Sequence, residues 1–466
     1  MHRALLAAVQ FLHTIAMSSS SPFKLRVAIC GGGISGLCLA VALSRCPNIQ
    51  VQVYEATDRF KEIGAGVMIW ARTWKILELL GLGSAFSKIA HSPPDGSIGT
   101  GFDFRRSDQP EEGSRFHLVQ MPYGCIRFYR VDFLDAFVEA LPPNVAHFGM
   151  RLASYSQNAS ASEISLQFSN GTTATCDLLA GCDGIKSSIR AQLYRECSER
   201  SGDSTLLKFI DPVWTGTIAY RGLIPVEHLP PCHRSIADPM MYCGKSKHVV
   251  SYSISRGKVV NVVTFASDPK REGEPHNEDV WVTNCLQQEL LECYSNWEPE
   301  VEQLLNQIEN PTKWAIHHLR PLPFFVDRKI ALLGDACHAM APHEGAGKRI
   351  SLKITNLRFI NYSPEGAGQA IEDAFILASL LEQVSSLETL PLALDAYQRV
   401  RLPFANHVLK GSYDSGLMYE FNSQYGEDYE ILGPAIEKQW DWVEEPSPEE
   451  ERLRALQYLK DAISWF

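Results

Sequence analysis

The chain has 466 residues, 45% of them hydrophobic and 21% charged, ordinary proportions for a globular protein with length for more than one core. Its net charge of −11, with no basic run, excludes nucleic acid as the expected partner. Twelve scattered cysteines contain no C-x-x-C pair, so neither a zinc site, nor any other metal site, nor a disulfide framework is expected; reduced thiols of an intracellular protein are.

Residues 1–24 read as an N-terminal extension. His2-Arg3 followed by Ala4 to Ala16 superficially resembles a short signal peptide, but Met17-Ser-Ser-Ser-Ser-Pro22 leads directly into the first strand and reads as a natural start. The segment holds fewer apolar residues than a membrane span needs, so a soluble, cytoplasmic protein is expected. Leu25 to Cys30 is an apolar run that predicts a buried strand. Gly31, Gly33 and Gly36 follow as G-x-G-x-x-G, and Leu37 to Leu43 reads as a helix with an apolar face. A second strand, Val51 to Tyr54, ends in Glu55. This strand–turn–helix–strand order with a terminal acid is the pattern of a dinucleotide-binding unit. Gly31 permits the tight turn, Gly33 lets amides approach a pyrophosphate at the helix N-terminus, with Ile34 and Ser35 of the same motif as further cofactor-binding candidates, and Gly36 lets helix and strand pack closely. Glu55 is placed to accept hydrogen bonds from a ribose.

Further on, Gly64, Ala65 and Gly66 suit a backbone passing close to a flat ligand. Trp74 to Leu80 predicts a helix closed by Gly81. Residues 98 to 130 alternate and predict strands, and Arg130 opens a helix through about Leu141. Leu152 to Gln157, Ile164 to Phe168 and Thr172 to Cys176 predict a small meander around a Ser169-Asn-Gly171 turn. Asp177 to Gly184 reads as a buried strand ending in Asp183-Gly184. The stretch from Val213 to Ala266 reads as β, and helical periodicity returns from Glu278 to Ile308. A buried strand, Ile330 to Gly334, precedes Asp335. Gly366 to Gln383 and Leu392 to Leu409 read as helices, and Ser447, Pro448 and Glu450 signal a capped helix start.

The expected fold is α/β: a Rossmann-like FAD-binding domain with an inserted mixed or antiparallel β-sheet substrate domain and C-terminal helices. The expected FAD-binding domain is 25–100 plus 130–200 plus 326–410. The substrate domain is 101–129 plus 201–325, and 411–466 is a C-terminal helical tail.

Three separated motifs carry a resemblance. Gly31-Gly-Gly-Ile-Ser-Gly36, Gly181-Cys-Asp-Gly-Ile-Lys-Ser-Ser-Ile-Arg190 and Ala331-Leu-Leu-Gly-Asp-Ala-Cys-His-Ala-Met-Ala-Pro342 together resemble the group A FAD-dependent aromatic hydroxylases of the para-hydroxybenzoate hydroxylase fold. Thr217 to Pro225 and Gly244 to His248 are similar to fungal salicylate-hydroxylase-like monooxygenases. The resemblance implies FAD as cofactor, NAD(P)H and O2 as co-substrates, and hydroxylation of a phenolic aromatic acid of the salicylate kind through a flavin C4a-hydroperoxide. It implies that Glu55 meets the adenosine ribose, Arg130 the diphosphate region, and Asp183 with Gly184 both flavin and NAD(P)H. It further implies that Asp335, after Gly334, meets the ribityl chain, and that Pro342 to Gly347, with Gly345, Ala346 and Gly347, lies beneath the isoalloxazine ring.

The chemistry needs a base for the phenol and a cation for a carboxylate. His248 is the expected base, at the head of an apolar strand, with Tyr220 second; the plain alternative for His248 is a packed sheet-edge histidine. Arg221 is the expected carboxylate holder, although strand alternation puts Tyr220 and Arg221 on opposite faces. Asp183 also reads as a helix cap, and Arg190 as a surface helix residue.

Lys348 to Gly366 interrupts the family-like run: removing it joins Gly345-Ala-Gly347 to Ala367-Gly-Gln-Ala-Ile-Glu-Asp373. This segment is read as an insertion, either a translated intron or a surface loop. The alternatives to a monooxygenase are an FAD-dependent reductase or dehydrogenase of the same fold, or a flavoprotein inactivated by the insertion. An NAD-only dehydrogenase leaves the second and third motifs without a job.

Overall fold

The computed structural model describes residues 24–60, 66–157, 163–276, 280–343, 351–354, 357–360 and 364–465. The strand Leu25–Cys30 is at the centre of a six-stranded sheet. Its spatial order is Val326–Asp327, Ile330–Leu332, Leu178–Gly181, Leu25–Cys30, Ile49–Tyr54, Ala146–His147. All neighbours run parallel except the first pair. A parallel sheet is covered on both faces, which is why its central strands are near-continuous apolar runs rather than alternating ones.

The register of this sheet gathers the motifs. Cys30 pairs with Tyr54 on one side and Gly181 on the other, and Gly181 pairs with Leu332. The residues that follow each strand (Gly31, Glu55, Asp183 and Gly334) therefore emerge at one carboxyl edge, where α/β sheets bind ligands. The helix Ile34–Leu43 is buried along its whole length and packs against Pro364–Leu381. A three-stranded meander, Leu152–Ser156, Ile164–Phe168 and Thr173–Cys176, lies at the sequence-expected place.

The second sheet has eight strands, ordered Val282–Asn284, Thr312–His318, Val213–Pro225, Val259–Ser267, Lys247–Ile254, Met240–Gly244, Ile98–Arg106, Ser114–Pro122. Its pairs are antiparallel apart from Met240–Gly244 beside Ile98–Arg106. One face packs Tyr220, Val249, Val260 and Val262 on Leu290, Tyr294, Val301 and Leu304, contributed by the region of the helices Gln287–Cys293 and Pro299–Leu305. The other face carries His248, Val250, Tyr252, Asn261, Phe265 and Arg221, as the pairings His248↔Phe265, Val250↔Val263, Tyr252↔Asn261 and Val263↔Arg221 require.

Two local expectations need correction. Residues 278–308 are not helical throughout: Val282–Asn284 is an edge strand on Thr312–Trp314, because unsatisfied edge amides there outweigh the helical period. Arg190 is not a surface residue. It is 1% exposed, and its guanidinium donates to the carbonyls of Ile185, Ile210 and Ala336, tying the second motif to the third.

Within the 348–366 segment, Ser351–Ile354 and Leu357–Ile360 pair antiparallel. Ala65, Gly345, Ala346 and Gly347 lie outside the described residues. Near the C-terminus, Leu390–Tyr419 is one helix that continues through residue 410. Pro448–Trp465 opens with the expected capping box: Ser447 N–H donates to Glu450 Oε2 at 2.7 Å, and Glu450 N–H to Ser447 Oγ at 3.2 Å. No helix among the described residues is long and apolar enough to cross a membrane.

A buried ionic chain joins that last helix to the sheet edge. Asp373 accepts from Gly334 N–H at 2.9 Å, His338 Nε2 at 2.6 Å and Arg401 Nε at 2.9 Å. Arg401 also reaches Glu372, which accepts from Arg72, and Arg72 reaches Glu451 at 2.6 Å. Removing one partner of such a set leaves its counter-charges unpaired in a low-dielectric interior, at about 3–5 kcal/mol. Arg401→Met is therefore expected to lower unfolding free energy by about that amount, read as a reduced urea midpoint.

Candidate flavin and substrate site

The glycine turn fits a dinucleotide. Gly31 has φ +113°, and a Cβ there would lie 2.2 Å from the Cys182 carbonyl oxygen. A Cβ on Gly36 would lie 2.0 Å from the Gly31 carbonyl oxygen. Neither position accepts a side chain, so the second motif, the first strand and the helix meet at backbone distance. Gly33 caps Ile34–Leu43 without a side-chain hydrogen bond, and no acid stands in the helix's first turn. Its N-terminal amides and dipole are thus available to an anion. A Cβ on Gly334 would meet Ser35 at 3.0 Å, which brings the third motif to the same helix start.

Glu55 is 5% exposed and ends its strand beside this turn. Its carboxylate accepts from Gly32 N–H at 2.7 Å and from Thr57 N–H at 2.8 Å. Arg130 and Asp335 are each 1% exposed, at the first positions of Arg130–Glu139 and Asp335–His338. Asp183 caps the next helix, accepting from Ser187 Oγ at 2.5 Å and Ser188 N–H at 2.8 Å, while Gly184 takes φ +76°. The described part of the flavin loop, Pro342 and His343, is anchored by His343 N–H to Ser412 Oγ at 3.4 Å. These residues fit an FAD: an amide-rich helix start for its diphosphate, and buried charged groups along one sheet edge for its sugar and ribityl hydroxyls.

The second sheet meets this edge through Gly66 and His343. Gly66 N–H donates to Asn261 Oδ1 at 3.1 Å, and a Cβ on Gly66 would strike the Tyr252 ring at 2.5 Å. His343 is edge-on to His248 at 5.1 Å and to Phe265 at 5.2 Å between ring centroids. His248 is fully buried and stacked on Phe265 at 4.5 Å. Arg221 shares that face, with its guanidinium 4.9 Å from the Trp314 ring centroid; burial lowers it to about 10. It stays a cation at neutral pH. Tyr220 points the other way and donates to Glu289 Oε1 at 2.9 Å, so the structure brings His248 and Arg221 to one surface and separates Tyr220 from both.

Sequence reasoning missed Glu420, whose Oε1 lies 3.0 Å from His248 Nδ1 and accepts from Ser267 Oγ at 2.7 Å. Burial pushes His248 down to about 3 and Glu420 up to about 7. The available signal was a lone acid inside an apolar stretch, Met418-Tyr-Glu-Phe421. His343 went unassigned because it was read only as part of the flavin loop.

Two outcomes follow from this geometry. Gly31→Ala should yield protein without bound flavin absorbance and with a lowered Tm. For His248, the unfolded chain binds a proton below about pH 6.5 that the folded chain refuses until about pH 3. Its contribution to stability is present above about pH 6.5 and is lost as pH falls, so His248→Gln should gain stability relative to the parent at pH 4.5 compared with pH 7, in paired urea titrations.

An FAD binding domain family matches residues 24–353. A salicylate hydroxylase of Pseudomonas putida is 36% identical over 439 residues, covering 92% of this chain and 93% of that protein. The 6-methylsalicylate 1-monooxygenase atA of Aspergillus terreus is 32% identical, covering 86% and 84%. Among solved structures, a salicylate hydroxylase substrate complex superposes with a TM-score of 0.78 at 30% identity, covering 94% of this chain and 98% of that one. With three motifs meeting at one flavin-shaped edge and these relatives matching nearly end to end, the chain belongs to the FAD-dependent aromatic monooxygenases, the family of the salicylate hydroxylases.

Proposed function

We propose that the chain hydroxylates a phenolic aromatic acid of the salicylate type, using NAD(P)H and O2. The observation that carries this reading is His248: a fully buried imidazole whose Nδ1 is tied to Glu420, whose Nε2 has no hydrogen-bond partner among the described residues, and which touches the flavin loop at His343. When bound, FAD supplies the oxygen activation and the electron transfer from NAD(P)H. The residues of the chain supply the rest. Glu55, Arg130, Asp183, Asp335 and the Pro342 loop hold the cofactor. The apolar face formed by Val250, Phe265 and Trp314 keeps water from the reacting ring. His248 accepts the phenol proton, since phenolate is the better nucleophile, and the Glu420 carboxyl beside Nδ1 offsets the burial that otherwise disfavours the imidazolium. Arg221 offers a cation on the same face for a carboxylate.

A groove of about 1180 Å3 beside Ser187 and Ser188 suits the reductant. It is lined by Lys186, Arg195 and Arg320 and by Trp281, which stacks on His317 at 3.8 Å. Cations with flat rings are the chemistry that holds a dinucleotide's phosphates and bases. The free cysteines fit a cytoplasmic setting. The 348–366 segment is read as an insertion whose removal restores the flavin loop, so a Δ348–366 protein should bind FAD at least as tightly as the full chain.

With salicylate as probe, His248→Gln should keep its FAD and its NAD(P)H oxidation but lose hydroxylated product about 100-fold, the usual scale for a lost general base. Unchanged product would remove His248 from the mechanism. Arg320→Ala should raise KM for NAD(P)H several-fold with little change in KM for salicylate, and equal KM values for the reductant would show that it docks elsewhere.

A further inference from the structure

Glu420 follows the last turn of Leu390–Tyr419, 172 residues from His248 in sequence, and is 2% exposed. Its backbone is fixed by the turn that joins Met240–Gly244 to Lys247–Ile254. Ser246 N–H donates to the Glu420 carbonyl at 2.9 Å, and Lys245 Nζ donates to the next carbonyl, Phe421, at 2.6 Å. Its side-chain Oε1 takes Ser267 Oγ at 2.7 Å and His248 Nδ1 at 3.0 Å. A second hydroxyl, Thr217 Oγ1, lies 3.0 Å from Ser267 Oγ. Burying a carboxylate costs several kcal/mol, and an amide of the same shape would satisfy the serine as well. A carboxylate is specifically suited to the imidazole.

We propose that Glu420 is the positioning residue for the proton-accepting imidazole. It holds the resting proton on Nδ1, leaving Nε2 with a lone pair for the substrate phenol, and offsets the positive charge once the phenol proton arrives. This rests on His248 being the base. In the step itself the phenol O–H bond breaks with its electron pair left on oxygen, and an N–H bond forms at Nε2. The Nδ1–H stays in place and Glu420 remains anionic, as in the acid–imidazole arrangement of hydrolytic triads.

The Glu420–His248 pair makes hydroxylation depend on pH. Glu420 ionises near neutrality because burial raises it, while the charge of His343 and the Ser267 hydroxyl lower it. Among the described residues, burial keeps the nearby Cys243, Tyr294 and Tyr413 in their neutral forms at pH 7, and Lys245 Nζ is engaged by the Phe421 carbonyl. Hydroxylation therefore rises with pH through the neutral range and flattens once Glu420 is charged.

Two measurements test this. In 15N-histidine NMR of the FAD-loaded full chain, His248 is expected as the Nδ1–H tautomer, and Glu420→Gln is expected to shift it toward Nε2–H. An Nε2–H tautomer in the parent protein would overturn the proposal without any substrate. In turnover of salicylate against 5-nitrosalicylate, whose phenol is more acidic, Glu420→Gln should lose about 100-fold product with the first and far less with the second, and its neutral pH limb should vanish. If His248→Gln shows that substrate dependence and Glu420→Gln does not, Glu420 is only structural. If neither shows it, the assignment of His248 as base fails instead. A uniform loss with both substrates in Glu420→Gln would likewise mark a structural role.

Discussion

The structure depends on a backbone contact: Gly31 against the carbonyl of Cys182. It sets the first glycine turn directly on the second motif, about 150 residues later in the chain. The parallel register of four strands then brings the third motif to the same edge. A helix start open to anions, with Glu55, Asp183 and Asp335 around it, is a consequence of that register and not of any single motif.

The cost of this convergence is borne by buried charge. Asp373 and Glu372, in the helix after the flavin loop, are neutralised by Arg401 and Arg72, which sit on helices far apart in sequence. Glu451 extends the set to the C-terminal helix. Through Asp373 and Gly334 the far end of the chain is wired to the flavin edge, so the tail is part of the site's foundation. The substrate face is built differently. It is largely apolar, and its few polar groups (His248, Arg221, Asn261, Glu420) are each held by a named neighbour, so each can have one orientation.

Much of this was legible in the sequence. The glycine turn, the strand before it and Glu55 are local features whose spacing carries their geometry. The Ser447 capping box is equally local: its two hydrogen bonds join Ser447 and Glu450, three residues apart. Strand alternation alone separated Tyr220 from Arg221, because period two leaves no other arrangement. What could not be read depended on distant pairing. Arg190 looked like a surface helix residue until Ile210 and Ala336 supplied its acceptors. Val282–Asn284 became a strand only because Thr312–Trp314 offered an edge. Glu420 and His248 share no periodicity, and only the fold puts them 3.0 Å apart.

The central claim is that one flavin, held by three distant segments, delivers oxygen to an aromatic acid on the His248 face. The most direct test is turnover of salicylate by the FAD-loaded protein with NAD(P)H under 18O2, read by product mass. The account predicts one 18O atom in each hydroxylated product molecule. Reductant consumed with hydrogen peroxide as the sole oxygen product, across salicylate and its ring-substituted analogues, would contradict it.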